Sequence, residues 1–381
     1  MKAIKSIQFI DLFYPNIDGV VRTVDRYATH MDSAVVAPAA PKGYRDKDDY
    51  PVFRSGALRI PFVGYGWPTP RFSMRLRAQV AGREADIFHA HSPFMLGHYA
   101  LRLAKKRDIP VVATFHSKYY DDFKRITHSE WLARFAVRYV VRFYNRCDVV
   151  WACSEGTAQT LREYGYNGPI DVMPNGADPF ITTDREAARA AAMAQFGVPQ
   201  DKKILLFVGQ MVWQKNLKLV LDTLATLDDS YRLLLVGTGY YEKQIHEYAQ
   251  KIGVMDRCIF TGRVSDREAL EGLYLCGHLF FFPSVYDNAP LVLREAATAG
   301  VPALLVRGCN SAECVTDGEN GYLAEETVES MSNRIASIFK NDEERAAVGR
   351  RAAQTIPLAW SELTKQVEAR YAAVIDTHGR K

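Results

Sequence analysis

Residues Ser284 to Pro302 read SVYDNAPLVLREAATAGVP and place Asp287 eight residues before Glu295. Asp287, Asn288, Ala289 and Pro290 read as a tight loop, with Pro290 near the first helical turn, where its missing N–H costs nothing. The run to Ala299 is helical in composition, and Gly300 followed by Val301 and Pro302 stops it. Such an entrance presents backbone N–H groups and the positive end of a helix dipole, which suits a phosphate. No basic side chain follows until Arg294. One carboxylate stands just before the entrance and the other about two turns inside. Diol-rich groups gripped on both sides of a phosphate are what a nucleotide-sugar requires. The same residues also fit an ordinary helix with an acidic residue at its start and an incidental buried Glu.

Outward from this segment, short apolar strands alternate with helical stretches, which points to parallel sheets. The first half offers strands at Ser6–Ile10, Ala34–Ala37, Asp86–Ala90, Pro110–Phe115, Asp148–Cys153 and Asp171–Pro174. The second offers Lys203–Val208, Tyr231–Val236, Cys258–Thr261, His278–Pro283 and Pro302–Val306. The interval 177–200 breaks the rhythm and reads as a linker with an interdomain helix. Residues 1–176 and 201–356 then form two doubly wound α/β domains. The stretch 357–381 carries Trp360, Leu363, Val367, Tyr371 and Val374 at spacings of three and four, an amphipathic helix that belongs to the second domain or crosses back to the first.

The 381 residues suffice for two ordinary cores, and 48% hydrophobic with 24% charged residues is a soluble composition. The longest apolar runs, such as Ile204–Val208, fall far short of a membrane span. No basic, then apolar, leader opens the chain, so a cytoplasmic location is expected. Six cysteines form no CxxC pair and no histidine cluster completes a metal spacing, so reduced thiols and no metal are expected. The net charge of +4 gives no reason to expect nucleic acid. Nothing here fixes an oligomeric state.

In open parallel sheets, ligands bind beyond the C-terminal ends of strands. After the first strand, DLFYPNIDGVVRTV puts Gly19 at a loop-to-helix junction, where it admits a ligand or makes a turn. His116 in TFHSKYYDDF ends the fourth strand; a histidine there can donate to or polarise a substrate hydroxyl, or be a solvated loop residue. His89 and His91 in FHAHSPF close the neighbouring strand. In LLFVGQMVWQKNL, Gly209 ends a strand and Lys215 lies six residues on, able to reach phosphates as a mobile charge. FTGRVSD supplies Gly262, Arg263 and Val264 in a loop whose backbone can read the edge of a base.

These pieces, in order, resemble the family 4 glycosyltransferases, retaining enzymes of the GT-B fold, over nearly the whole chain. The matching segments are FYPNIDGV, ATFHSKYYDDF, VMPNGAD, FVGQMVWQKN, LLLVGTG, FTGRVSD, SVYDNAPLVLREAATAGVP and SAECVTDGENGYL. The resemblance implies two Rossmann-like domains facing a central cleft, the first for the acceptor and the second for a nucleotide-diphosphate sugar. Asp287 would then contact sugar hydroxyls and Glu295 the nucleotide ribose. The segment Asn288, Ala289, Pro290 and Leu291 would hold the diphosphate, with Lys215 neutralising it and Gly209, Gln210 and Arg263 beside it. His116 would lie near the reacting sugar carbon, and Gly19, Val20, His91 and Tyr119 would face the acceptor. No cofactor and no metal are implied, because Lys215 and the helix dipole replace a divalent ion.

Two departures stand out. The family's first acidic position is usually Glu, and Asp287 retracts the carboxylate by roughly 1.5 Å. The family's usual arginine after the strand-ending glycine is Gln210 here, a lost contact worth on the order of 1.5–3 kcal/mol unless Arg263 or Arg307 substitutes. The acceptor clue lies in Lys118–Arg146. There Arg134, Arg138, Arg142 and Arg146 recur every four residues beside Trp131, Phe135, Tyr139 and Phe143. Such stripes suit an anionic membrane surface or lipid head group; core aromatics with solvated arginines fit equally. The expected activity is transfer of a hexose, from a UDP-sugar first and GDP-mannose second, to a lipid or glycan hydroxyl of the cell envelope. An epimerase or hydrolase on the same scaffold, and a catalytically weak sugar-nucleotide-binding protein, are the alternatives.

Overall fold

Strands buried on both faces need apolar residues at nearly every position, and this chain supplies such runs in two sets. The computed structural model describes residues 3–58 and 66–379. Its first sheet contains β1 (Ser6–Phe9), β2 (Ser33–Ala37), β3 (Val52–Arg54), β6 (Ile87–Ala90), β7 (Val111–Phe115), β8 (Val149–Ala152) and β9 (Ile170–Val172). Between β3 and β6, β4 (Ala57–Leu58) and β5 (Trp67–Pro68) make a small antiparallel pair. The second sheet contains β10 (Lys203–Val208), β11 (Tyr231–Val236), β12 (Cys258–Gly262), β13 (Leu279–Phe281), β14 (Ala303–Val306) and β15 (Tyr322–Ala324).

The orders are β3-β2-β1-β6-β7-β8-β9 and β12-β11-β10-β13-β14-β15, each parallel throughout. Both reverse direction after their first strand, between β1 and β6 and between β10 and β13. Such switch points are where doubly wound sheets open a ligand crevice at the strands' C-terminal ends.

Helices α1 (Gly19–His30), α2 (Met74–Ala81), α3 (Met95–Arg107), α4 (Tyr119–Thr127), α5 (Glu130–Tyr144) and α6 (Glu155–Glu163) accompany the first sheet. The second has α7 (Arg185–Phe196), α8 (Leu217–Thr226), α9 (Glu242–Lys251), α10 (Arg267–Cys276), α11 (Leu291–Thr298), α12 (Val328–Ile338) and α13 (Asp342–Thr355). Side-chain caps start many of them: Asp18 on α1, Ser129 on α5, Ser154 on α6 and Asp266 on α10 each accept from an N–H of the first turn. Leu205, Leu206 and Phe207 of β10 and Leu233, Leu234 and Leu235 of β11 are fully buried. Each such side chain contributes about 1.5–3 kcal/mol relative to exposure.

The chain divides into two units, 1–175 with 360–381, and 176–359. The interval 177–200, read as a linker, is instead built into unit 2. Its helix α7 packs on α10 so closely that a Cβ on Gly272 would stand 2.6 Å from the Ala188 carbonyl oxygen. The last helix, α14 (Trp360–His378), belongs to unit 1 and not to a separate segment 357–381. Its stripe Trp360, Leu363, Val367, Tyr371 and Val374 is buried there, and Tyr371 stacks on Trp151 with ring centroids 5.5 Å apart. The ends of that expected segment at 380–381 lie outside the described residues. Among the described residues no helix is long and apolar enough to cross a membrane.

Candidate functional site

In unit 2 the candidate residues gather at the β10–β13 switch point. Past β10, the Gly209 N–H donates to the Val236 carbonyl, and a Cβ at Gly209 would stand 3.2 Å from Lys215 Cδ. The lysine stem therefore crosses the strand end where a side chain would crowd it. A 3-10 turn at Trp213–Lys215 ends at Asn216, which adopts φ +61°. The Asn216 side-chain amide donates to the Pro283 carbonyl at 3.2 Å and to Glu326 Oε1 at 2.8 Å, fixing the turn against the end of β13.

That geometry sends Lys215 over the Phe282 ring, 5.2 Å from its centroid, to Asp287. Its Nζ is 2.7 Å from both carboxylate oxygens. Ser284 Oγ donates to Asp287 Oδ2 at 2.6 Å. The pair is only partly shielded, with side chains 13% and 19% exposed. The loop carrying Asp287 is braced from the β14 side. Asn310 donates to Asn288 Oδ1 at 2.9 Å, and Ser311 Oγ donates to the Ser284 carbonyl at 2.9 Å.

Helix α11 begins one residue after Pro290, which is its N-cap and supplies no side-chain hydrogen bond. The Leu293 N–H donates to the Pro290 carbonyl at 3.3 Å, and the N–H groups before it point out at the positive end of the helix dipole. Glu295 is the fifth residue of α11, just over one turn inside and not two. It is 6% exposed and accepts a 2.6 Å hydrogen bond from the Tyr274 hydroxyl on α10.

The structure brings Gly209, Lys215 and Asp287 together and sets Glu295 on the following helix. Arg263 is exposed on the loop after β12 and makes no ion pair among the described residues; Gln210 is exposed as well. Arg307 is bound to Asp317 at 2.9 Å and Glu325 at 3.2 Å, so its charge is already matched. Of the two cations considered as substitutes for the missing arginine, Arg263 is the unengaged one. Ser284, Tyr274, Asn310 and Ser311 were not singled out by sequence. Ser284 and Ser311 open two of the quoted motifs, whereas Tyr274 gives no sequence signal.

In unit 1, Gly19 opens α1 behind its cap Asp18, whose Oδ1 accepts from the Val21 N–H at 2.8 Å. A Cβ at Gly19 would meet nothing within 4 Å, so the fold itself does not demand glycine there. Val20 is half-buried beside it. His91 follows β6 and His116 follows β7; His91 Nδ1 lies 3.1 Å from His116 Nε2. His116 is partly exposed, but His91 and Tyr119, read as acceptor contacts, are 2% and 8% exposed. Tyr119 packs against Phe94 and Phe115 at 5.6 and 5.7 Å because it opens α4 facing the core. Burial pushes the His116 ring down to about 4, and the same cause, aided by neighbouring imidazoles, holds His89 and His91 well below the usual histidine range. Asp11, unnoticed in the sequence, sits just beyond β1 and accepts from the Leu96 N–H at 2.9 Å. Burial lifts its carboxyl to about 7 against the pull of N–H groups at the start of α3.

Comparison with known proteins gives the family and the fold. The model described as Glycosyltransferase Family 4 matches residues 17–179, and that described as Glycosyl transferases group 1 matches 188–355. A GDP-mannose-dependent alpha-mannosyltransferase of Corynebacterium glutamicum is 27% identical, over 95% of this chain and 87% of that protein. An alpha-monoglucosyldiacylglycerol synthase of Streptococcus pneumoniae is 24% identical, over 78% and 69%. Among solved structures, Anabaena HepE in complex with UDP and glucose superposes with a TM-score of 0.77 at 18% identity, covering 97% of this chain and 100% of that one. Sucrose-phosphate synthase from Thermosynechococcus elongatus gives 0.82 at 18% identity, covering 98% and 100%. The two family models together span nearly the whole chain, which belongs to the family 4 glycosyltransferases and has their two-domain α/β GT-B fold.

Proposed function

We propose that this glycosyltransferase moves a hexose from a nucleotide-diphosphate sugar to a hydroxyl of a lipid or glycan, with retention of anomeric configuration and without a metal. The reading is carried by Lys215 held on Asp287 beside the uncapped entrance of α11. A departing diphosphate needs mobile positive charge and N–H donors, and this corner offers both. Lys215 swings from Asp287 to the phosphates, which frees the Asp287 carboxylate to accept from sugar hydroxyls. Glu295, oriented by Tyr274, accepts from the ribose diol. Arg263 supplies the second cation that Gln210 lacks. The bond from anomeric carbon to phosphate oxygen breaks while the acceptor oxygen bonds to that carbon on the same face, and its proton passes to the leaving phosphate. Gly19, Val20 and His116 serve the hydroxyl side.

UDP-sugars are the first choice of donor and GDP-mannose the second. The names of the Streptococcus relative and of the HepE complex speak of glucose and UDP, and that of the Corynebacterium relative speaks of GDP-mannose. A lipid acceptor and contact with an anionic membrane are supported by α5. Its Trp131, Phe135 and Tyr139 are 68%, 57% and 45% exposed beside exposed Arg134, Arg138 and Arg142, while Phe143 turns into the core. Flotation with anionic liposomes is expected to carry the wild type up. Arg138→Glu should weaken binding by about tenfold or more, since each basic residue near such a surface contributes about 1 kcal/mol. Indifference to Arg138→Glu or to anionic lipid removes the membrane contact.

Gln210 and the closed Lys215–Asp287 pair favour one competing reading, a weak sugar-nucleotide-binding protein. Nucleotide release from a panel of UDP- and GDP-sugars, with and without membrane lipid extract, separates the readings. Acceptor-dependent release supports transfer, acceptor-independent release supports hydrolysis or epimerisation, and binding without release supports the weak binder.

A further inference from the structure

Behind His116, unit 1 buries a connected set of neutral polar groups. Gln8 and His89 are register partners on β1 and β6, both 0% exposed, so their side chains must be satisfied from within. Gln8 Nε2 lies 3.0 Å from Ser6 Oγ, 3.1 Å from Ser33 Oγ and 3.5 Å from the Tyr371 hydroxyl. Gln8 Oε1 lies 2.9 Å from His91 Nε2. The reverse amide orientation fails on hydrogens. Ser6 and Ser33 share one proton across 2.9 Å, so an amide oxygen in that place would face a serine oxygen with no hydrogen between them.

With its amide oxygen toward His91, Gln8 requires the His91 proton on Nε2, and a neutral His91 then offers Nδ1 as an acceptor. His116 Nε2, 3.1 Å from that nitrogen, must carry the His116 proton. A second branch satisfies the remaining groups. The Tyr371 hydroxyl lies 2.6 Å from His89 Nδ1, and Thr114 Oγ1 lies 2.7 Å from His89 Nε2, so each ring nitrogen of a neutral His89 has a hydroxyl partner. Every ring in the network is uncharged, so no buried charge is left uncompensated.

We propose that Gln8 and His91 are positioning residues that lock His116 in the Nε2–H tautomer, so that His116 Nδ1 accepts a hydrogen bond from a substrate hydroxyl. The substrate role rests on the hexosyltransferase reading; the tautomer does not. A nitrogen lone pair so directed takes an O–H and rejects a phosphate oxygen, which has no proton to give. The lock is anchored on α14, because Tyr371 touches both Gln8 and His89.

The test is the histidine-ring nitrogen spectrum of the full chain labelled with 15N-histidine, His116 being assigned by its loss in His116→Gln. At neutral pH the expected signature is a protonated Nε2 and an unprotonated Nδ1. His91→Gln, which keeps a donor and an acceptor, should preserve that signature. His91→Leu should scramble it and lower kcat by about tenfold to a hundredfold, the range for a partner that orients a working imidazole, with little change in donor KM. A wild-type His116 protonated on Nδ1, or an unchanged signature in folded His91→Leu, overturns the lock. If His91→Leu does not fold, the wild-type and His91→Gln spectra still decide. An inactive chain with the Nε2–H signature supports the lock while overturning the transferase reading.

Discussion

The two candidate sites handle polarity in opposite ways. In unit 2 a full charge pair, Lys215 on Asp287, lies partly open to water. In unit 1 His89, His91 and Gln8 are joined in a neutral network closed off from it. The contrast matches what each site would meet. A diphosphate brings negative charge and is best met by a cation that can move, on a long flexible stem. A hydroxyl brings none, and a fixed neutral donor or acceptor holds it without the cost of burying an ion. The same topological position, the C-terminal edge of strands at a switch point, is thus given two chemistries by the residues that follow each strand.

The largest effects should come from breaking the charged side of this comparison. Lys215→Ala is expected to lower kcat/KM by about 10²–10³-fold, the range for loss of one group that stabilises a developing anion. Its thermal unfolding should fall as well, because Asp287, mostly shielded from water, is left without its cation. Glu295→Ala should abolish transfer in a chain whose circular dichroism is unchanged, and near-normal activity would remove the ribose role. Tyr274→Phe, which takes away only the hydroxyl that orients Glu295, should raise donor KM by about tenfold, as for one hydrogen bond to a charged group.

Adding charge should sharpen the comparison from the other direction. Gln210→Arg restores a phosphate-directed cation and is expected to raise kcat/KM by about tenfold. A decrease would mean that Arg263 already fills that place.

The smallest effect probes the neutral side. His89, His91 and His116 have ring pKa values depressed by burial. The unfolded chain therefore binds more protons than the folded one below pH ~6.5, and stability falls on acidification until the folded values are passed. For His116 alone, from its ordinary value to about 4, the loss between pH 7.5 and 5.5 is about 1 kcal/mol. Asp11, raised to about 7, has the opposite sign over that range. Melting at the two pH values should show a net drop, larger in Asp11→Asn; equal melting temperatures in Asp11→Asn would contradict neutral burial of the histidines.

Much of this was legible in the sequence, for a physical reason. Strands covered on both faces are continuous apolar runs, so Lys203–Val208 and Tyr231–Val236 could be read to the residue. The edge strands Val52–Arg54 and Tyr322–Ala324 were missed, being three residues long with little apolar run to mark them. The loop through Pro290 was read correctly, but Glu295 was set about two turns inside α11, whereas counting from Leu291 puts it just over one turn in. The α7 segment looked like a linker because its Ala-rich composition does not reveal that small residues admit α10 at close range. The stripe on α14 gave the helix, but only tertiary structure gives Tyr371 its partners in unit 1.

Within the sites, the residues at strand ends were visible and their supports were not. Lys215, Asp287 and His116 stand where a doubly wound sheet concentrates function. Tyr274, Asn310, Gln8 and Tyr371 act across sequence separations of 21 to 363 residues, and no local pattern encodes such a meeting. The α5 stripe was ambiguous for the same reason. Periodicity puts Trp131, Phe135, Tyr139 and Phe143 together, and packing alone decides that Phe143 is inside and the other three outside.

The most direct test is nucleotide release from UDP- and GDP-sugars by the wild type and by Lys215→Ala, with and without membrane lipid extract. Release that depends on the extract and falls at least about a hundredfold in Lys215→Ala is the predicted result. Release that ignores the extract, or that Lys215→Ala leaves unchanged, would contradict an acceptor-dependent transferase whose leaving diphosphate is met by Lys215.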